Sequence, residues 1–163
     1  SVWDTLPWQE QGKTMASNLK IRPLRAADEA AWQQLFSDYA TFYQARIPAD
    51  AIEAAFHGML SADLTLRGWV AVINDKPVGL AHLVLHPSTW SLLPDAYLND
   101  LFVDPTYRRH GVGRALLQEV VNTGHEEGWR KLYWKTAGDN EAAQGLYRKV
   151  AAQTDWMTFE VKY

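Results

Sequence analysis

Apolar and polar residues alternate along the first part of the chain with two different periods. Residues 19–24 alternate one by one, as in a half-buried β-strand. In residues 32–43 and 48–59 the apolar positions instead recur every three or four residues, which places them on one face of a helix. The pattern therefore predicts one strand followed by two amphipathic helices.

The middle of the chain is predicted to form three strands. Residues 69–73 and 78–85 are apolar and rich in β-branched side chains, and the turn sequence Asn-Asp-Lys-Pro between them indicates a hairpin. Residues 97–103 predict the third of these strands. Asp104 and Pro105 end it, because proline cannot donate to the ladder.

The last third of the chain alternates between helix and strand. Apolar residues in 112–121 predict a helix that ends near Gly128, since glycine readily adopts the left-handed conformation of a helix stop. Residues 131–136 predict a strand, Asn140 caps a short helix that runs to Val150, and residues 157–163 alternate as a closing strand. This order predicts an α/β (α+β) fold in one domain, residues 19–163, after a tail of residues 1–18.

Length and composition agree with a single domain. A chain of 163 residues with 47% hydrophobic residues has enough apolar surface for one core. The absence of cysteine excludes disulfides, thiolate zinc sites and cysteine nucleophiles, so catalysis has to use oxygen and nitrogen groups. No apolar run approaches the roughly 18 residues of a membrane span, and the first residues lack a basic segment followed by an apolar run. We therefore expect a cytoplasmic protein without membrane association.

Positive charge is concentrated in one short stretch. The net charge of −3 provides no overall attraction for DNA or RNA. Arg108, Arg109 and Arg114 nevertheless fall within seven residues, which indicates a local anion site. The alternative is a nucleic-acid surface that adds Arg130 and Lys131, with tryptophans for base stacking, and the net negative charge argues against it.

The same stretch joins a predicted strand to a predicted helix and contains Gly111 and Gly113. A helix N-terminus has free N–H groups and the positive end of the helix dipole, and glycine lets an anion approach the backbone. Arginine forks suit phosphate oxygens, so the pattern indicates a pyrophosphate site. Leu116 stands where a Rossmann fingerprint has a third small residue, which excludes that type of site. The alternative is a tight strand-to-helix connection with solvated arginines.

Residues 108–113, Arg-Arg-His-Gly-Val-Gly, match the (Gln/Arg)-x-x-Gly-x-(Gly/Ala) signature of the GNAT N-acetyltransferase superfamily. Residues 101–105 resemble the fourth strand of that family, and residues 131–147 resemble its fifth strand and the following helix. The resemblance covers residues 19–163 and is closest to the branch of fungal histone and polyamine acetyltransferases and their small-amine relatives. It implies the GNAT fold, with a mixed central sheet of about six to seven strands, a splayed strand pair and flanking helices.

The resemblance also implies acetyl-CoA as the acetyl donor. Its pyrophosphate is expected on the backbone N–H groups of residues 109–115, and its pantetheine arm beside the splayed fourth strand, whose free backbone groups would pair with it like an extra strand. A free N–H of Leu101 or Phe102 is expected to stabilise charge on the thioester oxygen. The residues expected to bind the cofactor are Leu101, Phe102, Val103, Arg108, Arg109, His110, Gly111, Val112, Gly113, Arg114, Ala115, Asn140 and Tyr147.

Catalysis needs a neutral amine, whereas a free alkyl amine has a pKa of about 10.4. Asp100 on the fourth strand is the first candidate for the base, and a structural or acceptor-orienting role is equally open. His82 and His86 on the third strand are the alternatives, although such histidines are often structural. By resemblance, Tyr147 donates a proton to the leaving thiolate, and the alternative is a core tyrosine.

The acceptor is expected beside the first two helices. Tyr39, Tyr43 and Asp38 combine aromatic and acidic groups, which suits a cationic amine, although such a stripe is also typical of plain core. A small amine is the leading acceptor, a protein lysine or N-terminus is the second hypothesis, and a non-catalytic acyl-CoA-binding module is the third. No metal site is predicted. The closing strand favours a homodimer, because it would bury apolar surface between two copies.

Overall fold

The computed structural model describes residues 18–163. The tail predicted for residues 1–18 therefore lies, apart from Asn18, outside the described residues. Residues 18–134 belong to one compact unit, and residues 135–163 to a second. The elements in chain order are β1 (Leu19–Pro23), α1 (Glu29–Phe42), α2 (Ala49–Leu60), β2 (Leu66–Ile73), β3 (Lys76–His86), β4 (Asp95–Val103), α3 (Val112–Glu127), β5 (Lys131–Tyr133) and α4 (Glu141–Tyr147).

Five strands form one mixed sheet in the order β1-β2-β3-β4-β5. The first four pair antiparallel, and β4 pairs with β5 in parallel. The predicted hairpin joins β2 to β3 through Asn74 and Asp75, whose φ angles of 50° and 62° are both left-handed. This is the geometry of a two-residue type I′ turn, which matches the twist of the paired strands.

One face of the sheet packs against α1 and α2. Trp32 is 1% exposed at the centre of this core, and its ring lies 5.2 Å from Phe56 of α2 and 5.3 Å from Phe36. Burial of apolar surface of this kind is the main stabilising contribution to the fold. The buried residues of this cluster are Leu24, Trp32, Leu35, Phe36, Ile52, Phe56, Val70, Val72, Leu80 and Phe102.

The other face of the sheet packs against α3. A Cβ at Gly79 would lie 3.2 Å from Leu116 and 3.3 Å from Val112, whereas the neighbouring Leu80 belongs to the core on the α1 side. Successive residues of a strand point to opposite faces, so α3 covers the face opposite α1. A Cβ at Gly79 would also lie 3.0 Å from the carbonyl oxygen of Phe102, so the glycine permits close contact with both α3 and β4.

Strands β4 and β5 separate after a short contact. Only Asp95–Tyr97 of β4 pair with Lys131–Tyr133 of β5, and β4 then continues to Val103. A register shift against β3 leaves Asn99 as an extra residue between Leu98 and Asp100, and such a bulge increases local twist. The splayed strand pair expected from the family resemblance is confirmed, and so is the α/β fold class.

The closing strand and the strand count differ from the prediction. Within residues 18–163 the sheet has five strands, not six to seven, and residues 157–163 form none. β5 ends at Tyr133, three residues before the predicted end. An alternating sequence makes a strand only where a neighbouring strand supplies hydrogen bonds, so alternation alone does not decide whether such a segment forms one.

The predicted helices are confirmed with small changes of boundary. Gly128 ends α3 with a φ of 72°, as predicted for a left-handed stop, and Asn140 accepts a hydrogen bond from Ala143 N as the cap of α4. None of the helices that the structure describes has both the length and the apolar character needed to cross a bilayer.

Candidate active site

The sequence predicts a pyrophosphate site in the turn between β4 and α3. Two of its residues, Arg109 and Gly111, have left-handed backbone conformations, with φ angles of 66° and 77°. α3 then begins at Val112 without a side-chain cap, and its first helical hydrogen bond runs from Ala115 N to the carbonyl oxygen of Gly111. The N–H groups of the first helical turn have no intrahelical acceptor and are capped by no side chain at this position. The turn therefore offers the donors that an anion needs.

Two local features of the turn fit a phosphate ligand. A Cβ at Gly113 would meet only Val103, at an ordinary 3.6 Å, so packing within the chain does not require glycine there. A non-glycine residue in the left-handed region raises the conformational free energy by about 1–2 kcal/mol, and Arg109 adopts this conformation. Strain of this kind is typical of ligand clamps. Both features suit an anion that approaches the backbone closely.

The arginines of the turn occupy different positions. Arg108 Nε donates to the carbonyl oxygen of Val103 at 3.3 Å, and its guanidinium lies 5.1 Å from the ring centre of Phe42. This side chain therefore joins the end of β4 to the end of α1. Arg109 and the neighbouring His110 are exposed, and Arg114 in the first turn of α3 is half-buried. Arg108 and Arg109 are thus both exposed, but Arg108 is in contact with Phe42, whereas Arg109 lies just before the uncapped helix start.

The backbone of residues 101–103 follows the point where β4 leaves β5. The ring of Phe102 is buried against Tyr39 at 5.6 Å, so this side chain belongs to the core. Only the main chain of this segment remains to pair with a ligand on the side that faces away from β3. An extended amide-bearing ligand is suited to such an unpaired strand edge.

Asp100 is held by three side-chain donors. Its Oδ2 lies 2.9 Å from His82 Nδ1 and accepts from Asn99 Nδ2 at 3.0 Å, and Tyr39 also hydrogen-bonds to the carboxylate. The first partner is on β3, the second is the bulge residue of β4, and the third is on α1. The fold therefore fixes the carboxylate from three directions.

The partners of Asp100 favour its negatively charged form. Burial acts to raise the pKa of this carboxyl, but the hydrogen bond and electrostatic attraction from His82, together with the hydrogen bonds from Asn99 and Tyr39, outweigh burial, so the pKa is lowered from its ordinary value. Asp100 is consequently ionised at neutral pH and is a weak base. This result favours the acceptor-orienting role over that of proton acceptor.

The predicted acceptor residues on α1 are only partly brought together. The ring of Tyr39 lies 5.1 Å from that of Tyr43 and contacts the Asp100 region, so these aromatic groups share one surface. Asp38 is exposed and accepts from Gln34 Nε2 at 2.9 Å, one helical turn earlier. The carboxylate beside the aromatic rings is therefore Asp100 rather than Asp38.

His86 lies at the other end of the sheet from the turn. Its Nδ1 is 3.0 Å from the carbonyl oxygen of Pro87, which can only accept, so Nε2 accepts from Tyr133 Oη at 2.8 Å. Burial raises the pKa of Tyr133, which keeps the phenol protonated. A surface cavity of about 410 Å³ also lies here, where β4 begins, and it contains His86 but neither Asp100 nor residues 108–115.

Two predicted site residues lie in the second unit, on α4. The side chain of Asn140 caps this helix, with Oδ1 3.3 Å from Ala143 N. Tyr147 is the last residue of α4 and is half-buried. Within residues 18–163 there is no group of three or more histidine or acidic side chains arranged to hold a metal ion.

The sequence gives no signal for two residues at this site. Trp32 is predicted only as helix core, yet its Nε1 donates to His82 Nε2 at 2.8 Å across 50 residues of chain. Asn99 is predicted only as part of the strand at residues 97–103, and the bulge makes it a partner of Asp100. A β-bulge has no reliable local signature, and a contact of long sequence separation has none.

Comparisons with known proteins agree with this architecture. The Acetyltransferase (GNAT) family matches residues 30–152. The chain is 31% identical over 156 residues to the D-amino-acid N-acetyltransferase HPA3 of Saccharomyces cerevisiae, with 93% of this chain and 96% of the yeast protein covered. It is 27% identical to the thialysine N-epsilon-acetyltransferase of Caenorhabditis elegans over 59% of this chain and 62% of that protein.

A solved structure of similar fold contains a cofactor analogue. The aminoglycoside acetyltransferase AAC(6')-Iy, in complex with a bisubstrate analogue of CoA and acetylneamine, has a TM-score of 0.76 at 23% identity. The alignment covers 90% of this chain and 99% of that structure. The family match, the yeast relative and the uncapped helix start beside a splayed strand all lead to one conclusion. The chain belongs to the GNAT acetyltransferase family and is an acetyl-CoA-dependent N-acetyltransferase.

Proposed function

We propose that the enzyme acetylates the primary amine of a small molecule by direct attack on the thioester in a ternary complex. The observation that carries the proposal is the ionised carboxylate of Asp100, with the ring of Tyr39 beside it. A half-buried anion next to aromatic faces suits an ammonium group. The adjacent β4 segment is the one expected to hold the pantetheine arm.

Two relatives support a small acceptor. The yeast relative is named for D-amino acids and the nematode relative for thialysine, and the yeast protein aligns over almost its full length. Relatives named for the alanine of a ribosomal protein, such as that of Escherichia coli at 36% identity, align over only 38% of this chain. A peptide N-terminus is therefore the second candidate acceptor.

In this proposal each group of site residues has its own role. The N–H groups of residues 109–115 bind the pyrophosphate, and the backbone of residues 101–103 pairs with the pantetheine arm. Bound acetyl-CoA supplies the activated acetyl group. Asp100 binds the ammonium form of the acceptor and, after the amine has lost a proton to water, stabilises the positive charge that develops on nitrogen during attack. Tyr147 donates its phenolic proton to the leaving thiolate as the C–S bond breaks. The amide nitrogen then releases its extra proton to water, and the phenolate of Tyr147 regains a proton from water.

An acceptor panel tests the proposal. Purified enzyme is assayed for thiol release from acetyl-CoA with D- and L-amino acids, polyamines, aminoglycosides and peptides that begin with alanine or carry lysine. We expect turnover of a small amine, and we expect Asp100→Asn to raise the KM of that amine while the KM of acetyl-CoA stays unchanged. Glu126→Gln removes an exposed carboxylate near the end of α3 and is the matched control. Turnover of peptides alone would contradict the small acceptor and leave the transferase assignment intact.

We also propose that the enzyme is a homodimer. The C-terminal segment carries Trp156, Met157, Phe159, Val161 and Tyr163, which are each between 75% and 116% exposed. A contiguous exposed apolar segment of this kind is typical of an interaction surface. The strand predicted for residues 157–163 would form by pairing with a second copy, because strand formation needs a neighbouring edge.

Light scattering coupled to size-exclusion chromatography tests the dimer. We expect a mass of two chains for the intact protein and of one chain for the double variant F159E/V161E. The exchange of Lys162, a charged residue in the same segment, for glutamine provides the control, because it removes no apolar surface. A monomeric intact protein contradicts the proposal.

A further inference from the structure

Three side chains from three elements form a continuous hydrogen-bonded row. Trp32 on α1 donates from Nε1 to Nε2 of His82 on β3 at 2.8 Å, and Nδ1 of the same ring lies 2.9 Å from Oδ2 of Asp100 on β4. Trp32 and His82 are 1% and 7% exposed. The row therefore runs from the centre of the core to the carboxylate of the candidate acceptor site.

The chemistry of the partners fixes where the protons are. An indole N–H can only donate, so Nε2 of His82 must offer its lone pair. The neutral imidazole then carries its proton on Nδ1 and donates it to Asp100. A proton on Nε2 would place two N–H groups 2.8 Å apart, each facing the other. His82 is therefore no longer a candidate for the catalytic base, because the lone pair of its Nε2 already accepts the hydrogen bond from Trp32.

Aromatic rings enclose the imidazole on the α1 side. The ring of Phe36 contacts it edge-on with ring centres 4.7 Å apart, and the Trp32 ring centre is 5.6 Å away. Such packing holds the ring plane of His82 and so directs its Nδ1–H. The orientation of the donor to Asp100 is therefore set by the core rather than by solvent.

Among residues 18–163 Asp100 forms an ion pair with no lysine or arginine. Its donors are His82, Asn99 and Tyr39, and the imidazole of His82 is the one that could carry charge. The other titratable group that faces it is Tyr97 of β4, whose pKa is raised by burial and by the charge of Asp100. A largely buried carboxylate that has no lysine or arginine partner is suited to a bound cation.

We propose that Trp32 and His82 are positioning residues, which hold Asp100 as an oriented anion for the ammonium group of the acceptor. The inference rests on the proposed amine acceptor for its functional part. Trp32 selects the tautomer of His82, and His82 in turn gives Asp100 a permanent donor. In this proposal both residues act through Asp100.

Nitrogen NMR of the wild-type enzyme tests the tautomer directly. In ¹⁵N-labelled protein, long-range ¹H–¹⁵N spectra at neutral pH are expected to show a protonated Nδ1 and an unprotonated Nε2 for His82. The exposed His57 provides an internal reference for a solvated imidazole. A proton on Nε2, or on both nitrogens, would overturn the inference whatever the acceptor is.

The variant Trp32→Phe tests the function of the row. It keeps an aromatic ring in the core and removes the N–H, so we expect the KM of the acceptor to rise roughly five- to tenfold. The kcat and the KM of acetyl-CoA are expected to change less than twofold. Trp129→Phe is the matched control, because Trp129 Nε1 also donates a hydrogen bond, to Glu127 at 3.0 Å near the end of α3.

The possible results of these experiments distinguish the positioning role of Trp32 and His82 from the proposed small-amine acceptor. An unchanged acceptor KM in folded Trp32→Phe overturns the positioning role, and so does an equal rise in the KM of acetyl-CoA. A wild-type spectrum with the expected tautomer, together with turnover of peptides alone, contradicts the small acceptor but not the hydrogen-bonded row. Should Trp32→Phe fail to fold, the wild-type spectrum still decides the tautomer.

Discussion

Arg130 donates two hydrogen bonds to Asp95, from Nε to Oδ1 at 2.6 Å and from Nη2 to Oδ2 at 2.5 Å. Asp95 is the first residue of β4 and is 3% exposed, and Arg130 directly precedes β5. The backbone N–H of Arg130 also donates to the carbonyl oxygen of Pro94 at 2.8 Å. This pair therefore fixes where the parallel ladder starts, three residue pairs before the two strands separate.

Loss of this arginine is expected to destabilise the sheet. Arg130→Met leaves the buried Asp95 without its two hydrogen bonds, and we expect the free energy of unfolding to fall by about 2–3 kcal/mol. Arg148→Met removes an exposed arginine that bonds Gln144 on α4, and it should cost less than about 1 kcal/mol. Chemical denaturation of both variants measures the difference, and equal losses would contradict a special role for Arg130.

Acid is expected to destabilise the protein through its paired carboxylates. The hydrogen bond from Arg22 lowers the pKa of Asp28, and that from Arg130 lowers the pKa of Asp95. A lowered folded-state pKa gives stability that is present above the unfolded value of 3.8 and lost as the pH falls through the folded value. The Tm should therefore change little from these groups between pH 7 and about 5 and fall below about pH 4.

Calorimetry across this range, with Asp28→Asn as the comparison, checks the assignment. The variant lacks one of these titrations, so its Tm should start lower at pH 7 and decline less steeply in acid than that of the wild type. Parallel curves for the two proteins would show that Asp28 is not among the groups responsible.

A comparison of Gly111→Ala with Gly128→Ala is expected to distinguish an effect on acetyl-CoA binding from an effect of backbone strain. Gly111 and Gly128 flank α3 with φ angles of 77° and 72°, so alanine at either position should cost about 1 kcal/mol of stability. Only Gly111 lies at the uncapped helix start, so its variant alone should raise the KM of acetyl-CoA, by roughly tenfold. Steady-state kinetics of both variants provides the measurement, and an equal KM change would mean that strain accounts for both effects.

Tyr147→Phe is expected to lower kcat by about 100-fold, because a general acid typically contributes at least that much. The KM values of both substrates should remain within about twofold, since the ring is retained. Tyr163→Phe removes the hydroxyl of a fully exposed tyrosine and is the control. A kcat close to that of the wild type would support the alternative that Tyr147 is a core tyrosine.

Local signals in the sequence predicted much of the molecule. The α3 boundary at Gly128 and the cap at Asn140 were predictable because glycine and asparagine act on the backbone within a few residues. The turn at residues 108–113 was predictable for the same reason, since its glycines and arginines are contiguous. The predicted strand at 157–163 was wrong for the described chain, because alternation shows which face is apolar but not which edge pairs with it.

The sequence by itself determined the helical and strand periods, the hairpin turn and the uncapped glycine-rich start of α3, because each depends on residues close together in the chain. Only the tertiary structure decided that Trp32, His82 and Asp100 meet, and that β4 leaves β5 after three residue pairs. These features depend on packing between elements that are 18 to 50 residues apart. No local propensity specifies such contacts, because their energy is gained only when the whole sheet and its covering helices have formed.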